Sequence, residues 1–367
     1  MNQPRPLFIG IMSGTSLDGI DAVLASIGDD GEAAIEAAQS APFSEGLRKA
    51  LFDLQSSGPD EIHRENEAAN ALAQAYGGLV KALLNHARKK ASDITAIGAH
   101  GQTIRHQPQF GYTHQTLNPA LLAEITGIDV VADFRSRDLA AGGHGAPLVP
   151  AFHAQQFQSD VDVAILNLGG IANLTLLPKT GEVKGFDCGP GNMLMDAWIE
   201  HHQQKSFDKD GAWATQGRLH EELLARMLSD PFFKKAPPKS TGRDDFHLAW
   251  LEKHIAKEVI EAVDVQMSLL HLTVLSTLEA VMLHAPQTQK LIVCGGGAKN
   301  IALMNLMRTK APQLEIISSD SVGVDAQLVE ALAFAWLAWA HKEKRPANLP
   351  AVTGAKGLRI LGACYPA

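Results

Sequence analysis

Two segments of the chain share one design, in which an apolar strand, a turn of small residues and a second apolar strand follow one another. The first runs from Leu7 to Ile27 and turns at Ser13–Ser16. The second runs from Val161 to Leu177 and turns at Asn167–Gly170. Both are predicted to be β-hairpins, because glycine permits tight turns between strands. Since they begin the two halves of the chain, they predict two domains that start in the same way.

The rest of the chain alternates between helix and strand patterns. Apolar residues at helical spacing predict helices at Glu65–Lys90, Ala120–Ile125, Leu219–Leu228, Leu248–His284 and Ala326–Lys342. Short strands are predicted at Ile94–Ala99, Val130–Ala132, Leu291–Cys294 and Leu314–Ile317. This alternation predicts an α/β fold with sheets covered on both faces. The Pro- and Gly-rich run Gly142–Pro150 predicts the end of the first domain. We therefore expect domains at 1–150 and 151–367, with the helix at 326–345 packing back on the first.

Composition excludes several classes of protein. With 46% hydrophobic and 20% charged residues in 367, the chain predicts a globular protein with two cores. A formal net charge of -8 argues against nucleic acid as a partner. Met1–Pro6 lacks a signal-peptide pattern, and the apolar segment Leu328–Ala340 is too short to span a bilayer, which needs about 20 residues. Three separated cysteines without a CxxC pair predict neither a disulfide framework nor a zinc site, and fit a reducing cytoplasm.

The first hairpin has the features of a phosphate-binding turn. Its small residues leave backbone N–H groups free to approach phosphate oxygens, and Thr15 and Ser16 add hydroxyl donors. Asp18 is suited to hold Mg²⁺ through water. Neither GxxxxGK[ST] nor GxGxxG occurs here, so this is not a P-loop or a dinucleotide fingerprint. From this segment alone, an ordinary glycine-rich hairpin remains the alternative.

The second hairpin and the segment after it strengthen the phosphate interpretation. Gly169 and Gly170 form another glycine turn, with the Asn173 amide close by. Asp187 follows, just before a turn at Gly189–Asn192 and a predicted helix at Met193–Glu200. An acid placed there is a candidate general base. The alternative is an aspartate whose side chain only caps the local backbone.

Three further features are candidates for ligand binding. Gly295–Gly297 follow a strand and precede a helix, a pattern that lets a nucleotide lie against the backbone, although a plain turn is the alternative. His100 and Arg135 follow predicted strands, where ligands bind in open α/β sheets, or they serve a loop and a surface salt bridge. Glu330 lies in an apolar helical run, so it either occupies an exposed edge or points into a polar cleft.

These motifs, in this order, resemble the actin, Hsp70 and sugar-kinase superfamily, and within it the anhydro-N-acetylmuramic acid kinase family. The segments that carry the resemblance span nearly the whole chain: GIMSGTSLDGID at 10–21, AHGQT at 99–103, ADFRSRDLAAGG at 132–143, APLVP at 146–150, NLGGIANLT at 167–175, FDCGPGN at 186–192, STGRDDF at 240–246 and CGGGAKN at 294–300.

The resemblance implies two actin-like, ribonuclease H-like domains with an ATP and substrate cleft between them. It implies that Asp187 is the general base for a water that opens the anhydro sugar, while O6 takes the γ-phosphoryl group of ATP. It places His100, Arg135 and Glu330 in the sugar pocket, with Arg135 on the lactyl carboxylate, and Asp18 near Mg²⁺. A homodimer working in cytoplasmic peptidoglycan recycling is also implied. The residues expected to bind ATP or its phosphates are Gly14, Thr15, Ser16, Leu17, Asp18, Gly19, Ile20, Asp21, Gly169, Gly170, Asn173, Gly189, Gly191, Asn192, Gly295, Gly296, Gly297 and Asn300.

Two residues depart from the family pattern, and three other functions compete with it. Cys188 stands where the pattern has Thr, and His144 where it has Gln, so a shifted substrate preference is a possible consequence. The competing functions are a kinase for an ordinary hexose, a phosphatase such as an exopolyphosphatase, and a nucleotide-dependent regulator or filament protein. The absence of a basic arm or a DNA-binding helix-turn-helix argues against the regulator.

Overall fold

The computed structural model describes residues 5–14, 17–242, 244–256 and 258–367. Its strands are β1 (Leu7–Met12), β2 (Ile20–Ile27), β3 (Ala33–Ala41), β4 (Ile94–Ala99), β5 (Gln102–Gln107), β6 (Tyr112–Thr116), β7 (Val130–Ala132), β8 (Val163–Leu168), β9 (Ile171–Leu177), β10 (Lys184–Pro190), β11 (Lys290–Cys294), β12 (Glu315–Ser318) and β13 (Ala363–Tyr365). Its α-helices are α1 (Glu45–Asp53), α2 (Glu61–Ala87), α3 (Pro119–Thr126), α4 (Ser136–Leu139), α5 (Val149–Phe157), α6 (Met193–Gln203), α7 (Glu221–Leu228), α8 (Pro231–Lys234), α9 (Leu248–Ile255), α10 (Ala262–His284), α11 (Ile301–Lys310), α12 (Val329–Lys342) and α13 (Pro350–Thr353).

The chain divides into two compact units. Unit 1 contains Met1–Gln156 together with Leu328–Ala367, and unit 2 contains Phe157–Gln327. The expected domain boundary at residue 150 therefore shifts by six residues. The expected assignment of 328–367 to the second domain is corrected, because these residues pack on unit 1.

Unit 1 is built on a six-stranded sheet in the order β13-β7-β4-β1-β2-β3. The hairpin β1–β2 is antiparallel, whereas β1 pairs with β4 in parallel. Successive side chains of a strand point to opposite faces, and Ile9 and Ile11 of β1 belong to the core formed with α2. The core side of α2 includes Leu72, Tyr76 and Leu83, all fully buried. The predicted first hairpin is confirmed.

Two glycines explain why the C-terminal helix belongs to unit 1. Gly10 of β1 and Gly98 of β4 lie so close to α12 that a Cβ at either would stand 1.9 Å from a helix carbonyl oxygen, of Ala331 and Phe334 respectively. Only glycine allows this approach of helix backbone to sheet backbone. α12 thus covers the face of the sheet opposite α2, as the sequence led us to expect for the helix at 326–345.

Unit 2 is built on a five-stranded sheet in the order β10-β9-β8-β11-β12. β8–β9 is an antiparallel hairpin, as predicted, and β8 pairs with β11 in parallel. Along the described chain, α10 is the one helix long and apolar enough to cross a membrane, but 78% of its apolar window is buried. Its residues Leu269 and Leu272 belong to the core of unit 2. α10 is therefore the core helix of this unit.

The two sheets follow one topology. In each, the first three strands form an antiparallel meander, and two further strands add in parallel beside the first. This repeat is the ribonuclease H-like fold of the actin-like ATPases, which confirms the α/β prediction.

One helix prediction is wrong. The expected helix Leu248–His284 is two helices, α9 and α10. α9 ends at Ile255, because the next residue, Ala256, has a φ of 55°, which is not helical. Arg226 bonds the carbonyl of His254 and forms a bidentate pair with Glu258, which holds the connection in its non-helical path.

Candidate functional site

The turn of the first hairpin is closed by its own backbone. The carbonyl of Gly14 accepts a hydrogen bond from the Leu17 N–H at 3.1 Å, and Leu17 adopts a positive φ of 59°. Asp18 is exposed immediately after the turn, Gly19 is partly buried and Ile20 is buried at the start of β2. Thr15 and Ser16, both expected to bind phosphate, lie outside the described residues.

A buried hydrogen-bond chain braces this turn against the neighbouring strand. Ser13 Oγ donates to the carbonyl of Gly101 at 3.2 Å, so the 2.8 Å bond between Ser13 Oγ and Tyr76 must be donated by the tyrosine hydroxyl. Gln102 Nε2 donates to the carbonyl of Gly14 at 3.1 Å. Desolvation raises the pKa of Tyr76 above its usual range, so its hydroxyl keeps its proton. The AHGQT segment therefore fixes the backbone of the first hairpin's turn, a role that the sequence did not reveal for Ser13, Tyr76 or Gln102.

His100 directly follows β4, and Arg135 lies shortly after β7. The two side chains meet in unit 1. Arg135 Nη2 donates to His100 Nε2 at 2.9 Å, and Nη1 donates to the carbonyl of Gly145 at 2.8 Å. Burial, and next the charge of Arg135, lower the pKa of His100 to about 3. Burial lowers the pKa of Arg135 to about 10, so the guanidinium remains charged at neutral pH. Arg135 Nε has no hydrogen-bond partner among the described residues, whereas the backbone of Ser13 and Gly101 lies close enough to the His100 ring to oppose the lowering of its pKa.

Glu330 joins this pair from the first turn of α12. Burial raises the pKa of its carboxyl, the charge of Arg135 opposes that rise and the charge of Asp21 adds to it. Glu330 therefore lies close enough to both Arg135 and Asp21 to interact electrostatically with each. Asp21, in β2, accepts a hydrogen bond from Ser40 Oγ. Glu330 is partly buried beside these charged groups, which excludes the exposed edge and leaves the polar cleft as the prediction.

Asp138, a buried carboxylate that the sequence did not single out, stabilises the loop that holds Arg135. Asp138 is fully buried in α4 and accepts hydrogen bonds from the Gly145 N–H, Asn348 Nδ2 and Thr353 Oγ1 at 2.7–2.8 Å. Since Gly145 also accepts from Arg135, Asp138 fixes the loop that orients the guanidinium. Two of its partners come from the C-terminal segment, more than 200 residues away, so no local pattern could have identified it.

In unit 2 the glycine turn of the second hairpin is hydrogen-bonded to the residues that directly follow β10. The N–H groups of Gly191 and Asn192 donate to the carbonyls of Gly170 and Gly169, each at 2.9 Å. The Asn192 side chain donates to the carbonyl of Leu168 at 3.0 Å. The predicted residues of both segments therefore form one backbone cluster.

Five of the predicted glycines of unit 2 fall into two groups, according to what a Cβ at each position would contact. At Gly191 it would stand 2.4 Å from the carbonyl oxygen of Gly169, and at Gly295, where φ is +80°, 2.5 Å from Asn167 Oδ1. At Gly169 and Gly170 it would make only ordinary contacts, and at Gly296 it would meet nothing within 4 Å. The fold therefore explains the first group and leaves the second open. A ligand that approaches the backbone closely is a sufficient reason for the second group.

The remaining glycine and asparagine candidates have structural partners. Gly189 has a φ of 151°, and a Cβ there would stand 2.8 Å from the Phe233 ring. A Cβ at Gly297 would stand 2.6 Å from Leu168 Cβ. Asn300 Oδ1 accepts from the Leu303 N–H at 3.1 Å and so caps α11.

Asp187 lies in the middle of β10, in a row of polar residues that crosses three strands. In the register of the sheet it pairs with Asn173 of β9, which pairs with Asn167 of β8. Asp187 Oδ2 accepts a hydrogen bond from the Thr241 N–H at 2.9 Å. Burial raises the pKa of this carboxyl to about 6, against the lowering effects of the Thr241 N–H and the charge of Lys239. A carboxylate tuned toward neutral pH is suited to accept a proton during turnover.

The two residues that depart from the family pattern are placed very differently. Cys188 is buried in the core of unit 2, its thiol bonds the carbonyl of Ala172 at 3.2 Å, and burial raises its pKa to about 12. Cys188 lies at a register shift between β10 and β9, and the contacts of its thiol with the Ala172 carbonyl and the Thr277 hydroxyl place it in the core. His144 is exposed, and it lies near His106, whose pKa is lowered to about 4 by burial, by the charge of Arg135 and by His144.

The candidate magnesium site fits a water-mediated ion better than a protein cage. Within the described ranges, no group of three or more His, Cys, Asp or Glu side chains could hold a metal. Asp18 is an exposed carboxylate beside the turn of the first hairpin. A single carboxylate acting with substrate phosphates and water is a usual environment for Mg²⁺.

The fold and these turns define a member of the actin-like ATPase class. Comparison with known proteins is more specific, because residues 6–367 match the family model of anhydro-N-acetylmuramic acid kinase. A protein of that name from Cupriavidus pinatubonensis (strain JMP 134 / LMG 1197) is 51% identical over 368 residues, covering 98% of each chain. Another from Pseudomonas syringae pv. tomato is 50% identical over 362 residues, covering 98% of this chain and 99% of its own. The chain belongs to the anhydro-N-acetylmuramic acid kinase family.

Proposed function

We propose that the protein is an ATP-dependent kinase that opens 1,6-anhydro-N-acetylmuramic acid with water and phosphorylates its O6. The observation that carries this proposal is Asp187, a carboxylate in a row of polar groups whose pKa is raised to about 6. The family of the chain supplies the substrate class. A hexose kinase also uses a carboxylate base, on the sugar hydroxyl, so the family of the chain is what favours the anhydro sugar over an ordinary hexose.

The reaction proceeds by coupled ring opening and phosphoryl transfer. Asp187 accepts a proton from water as the water oxygen forms a bond to the anomeric carbon. The bond between that carbon and O6 breaks, and O6 attacks the γ-phosphorus of ATP, which releases ADP. The products are N-acetylmuramic acid 6-phosphate and ADP. Within the described part of the chain, Asp187 Oδ1 accepts no hydrogen bond, so it is the oxygen assigned to the water.

Unit 1 binds the sugar through Arg135, His100 and Glu330. The unpartnered Nε–H of Arg135 and the remaining capacity of its guanidinium suit a carboxylate, such as that of the lactyl group. His100 is neutral, with its proton on Nδ1, so the ring is a donor on this side of the pocket. Glu330, partly buried beside Arg135, accepts hydrogen bonds from sugar hydroxyl or amide groups.

The nucleotide is bound by the two glycine hairpins and by the Gly295–Gly297 turn. The turn of the first hairpin and the backbone N–H groups of Gly169 and Gly170 approach the phosphates, and the open Gly296 lies against the nucleoside. Asp18 would hold Mg²⁺ through water, and the ion would neutralise phosphate charge. Of the remaining predicted ligands, Gly191, Asn192, Gly297 and Asn300 have structural partners in or beside these turns. Asn173 lies within β9 opposite Asp187, and Gly189 lies against Phe233, so their roles in nucleotide binding stay predictions.

We place this activity in the cytoplasm, in the recycling of peptidoglycan fragments, and expect the protein to act as a homodimer. The support is the family of the chain, together with a composition that fits a reducing compartment. Size-exclusion chromatography with light scattering tests the dimer, and a single peak at 39.3 kDa would contradict it.

The test of the proposed function is an assay of ADP release with MgATP and either the anhydro sugar or glucose, using wild type and Asp187→Asn. We expect turnover with the anhydro sugar alone and a loss of about 10²-fold to 10⁴-fold in the variant. ATP affinity, measured by calorimetry, should be nearly unchanged. Full turnover by Asp187→Asn, or preference for glucose, would contradict the proposal.

A further inference from the structure

The segment from Lys239 to Thr241 lies along the free edge of β10. β10 is the edge strand of its sheet, so its outward N–H and C=O groups lack a strand partner. The Asp187 N–H donates to the carbonyl of Lys239 at 3.1 Å, and the Thr241 N–H returns to Asp187 Oδ2 at 2.9 Å. Both the backbone and the side chain of Asp187 are thus held by this one segment.

Lys239 anchors that segment through its side chain. Its Nζ donates to the carbonyls of Phe232 and Phe233, at 3.3 and 3.4 Å, where α8 ends. The ammonium also lies 4.6 Å from the centroid of the Phe232 ring, within the range of a cation–π interaction. Phe232 is buried in the core of unit 2, so this anchor point is rigid.

The far side of the segment has an anchor of its own. Thr241 Oγ1 donates to Asp245 Oδ2 at 2.8 Å, and the adjacent Phe246 is buried against Phe232 and Phe233. Lys239 and Asp245 therefore fix the Thr241 N–H from both ends, and that N–H decides which oxygen of Asp187 is engaged.

Several charged or titratable groups surround this carboxylate. Lys239 and Cys188 interact electrostatically with Asp187, and Lys235 interacts with Lys239. His284, at the end of α10, interacts with Lys239 and Lys184 and contacts Phe186 edge-on. Cys188 stays protonated and uncharged near neutral pH, because burial raises its pKa. Lys239 is therefore the charge that most directly favours the ionised form of Asp187.

We propose that Lys239 is the positioning residue of the general base: its side chain aims the Thr241 N–H at Asp187 Oδ2, and its charge keeps Asp187 ionised for the attack of water. This inference rests on the proposed function. Lys239 touches no reacting atom in it and acts through Asp187. Because Oδ2 accepts the hydrogen bond from the Thr241 N–H, Oδ1 is the oxygen that receives the proton from water.

The experiment is the pH dependence of kcat/KM for the anhydro sugar in wild type, Lys239→Met, Lys239→Arg and Lys235→Met. Activity is lost as pH falls and Asp187 takes a proton, so removing a neighbouring positive charge moves this acid limb to higher pH. We expect a shift of about 0.5 pH unit for Lys239→Met, a modest value because Lys239 is partly exposed. On the acid side of the limb this corresponds to about threefold lower kcat/KM. KM for ATP should not change.

Lys235→Met is the matched control. Lys235 also lies over the Phe232 ring, at 5.9 Å, but it is exposed and its carbonyl does not bond Asp187, so its profile should match wild type. Lys239→Arg keeps the positive charge, so its acid limb should lie at the same pH as in wild type. If Lys239→Met does not fold, Lys239→Gln decides the question, since its amide can still donate to the carbonyls while the charge is lost; we expect the same shift.

A Lys239→Met or Lys239→Gln profile that overlays wild type would overturn this inference, as would an equal shift in Lys235→Met. That failure differs from a failure of the proposed function. If Asp187→Asn is inactive while the lysine variants are normal, only the role of Lys239 is lost. If Asp187→Asn turns over normally, the base itself is misassigned.

Discussion

Arg135 donates a 2.9 Å hydrogen bond to His100 Nε2, and this bond sets the state of both side chains. A guanidinium is always a donor, so Nε2 is the acceptor and the imidazole carries its proton on Nδ1. The same cation and the burial of the ring keep the pKa of His100 at about 3. The pair therefore presents a fixed positive charge beside a neutral N–H donor, an arrangement that suits a carboxylate next to a polar sugar atom.

Arg135→Lys should weaken sugar binding despite conserving the charge. An ammonium cannot bond Gly145, His100 and a ligand carboxylate with the geometry of a planar guanidinium. We expect KM for the anhydro sugar to rise about tenfold or more, with KM for ATP unchanged, in steady-state kinetics. Arg137→Lys, at an exposed neighbouring position, is the control. Equal KM values in the two variants would count against Arg135 as the carboxylate-binding residue.

The pH profile of the wild-type enzyme should have one acid limb, near pH 6. Asp187 must be ionised to accept a proton, so kcat/KM falls as pH drops through its raised pKa of about 6. His100 stays neutral down to about pH 3 and adds no limb in this range. Stopped assays between pH 4.5 and 8 measure this directly. A flat profile down to pH 5 would show that Asp187 is not the base.

Asp187→Asn should stabilise the folded protein at neutral pH. A carboxyl whose pKa rises from 3.8 to about 6 on folding is destabilising above pH 6, and this penalty disappears as pH falls toward 4. Asn keeps an oxygen for the Thr241 N–H and removes the charge. We expect a gain of about 1–2 kcal/mol at pH 7.5, seen as a Tm increase that vanishes near pH 4. A variant that is less stable at pH 7.5 would contradict the burial of an ionised Asp187.

Gly295→Ala and Gly296→Ala should fail in different ways. A Cβ at Gly295 would stand 2.5 Å from Asn167 Oδ1, at a φ of +80°, so this variant should lose about 1–3 kcal/mol of stability. A Cβ at Gly296 meets nothing within 4 Å, so Gly296→Ala should keep its Tm and lose ATP affinity. Thermal melts and isothermal titration with ATP separate the two effects. Unchanged ATP affinity in Gly296→Ala would remove this turn from the nucleotide site.

The sequence predicted local features well because they depend on short patterns. The spacing of small and apolar residues identified both hairpins, and the strands Ile94–Ala99 and Val130–Ala132 were predicted to the residue. What it missed depends on distant contacts. Asp138 gains its role only when Asn348 and Thr353 fold against it. The packing of the helix at 326–345 on the first domain was expected, but the assignment of the rest of 328–367 to unit 1 was not. The close approach of α12 to the sheet depends on Gly10 and Gly98, which carry no local signal of the helix they contact.

The measurement that tests the central claim most directly is mass spectrometry of the sugar after incubation with the protein and MgATP in ¹⁸O-labelled water. We expect a product that carries one phosphoryl group and one labelled oxygen at the anomeric carbon, because water opens the ring while O6 accepts the phosphoryl group. Unchanged sugar beside intact or merely hydrolysed ATP, or a phosphorylated product without the label, would contradict coupled ring opening and transfer.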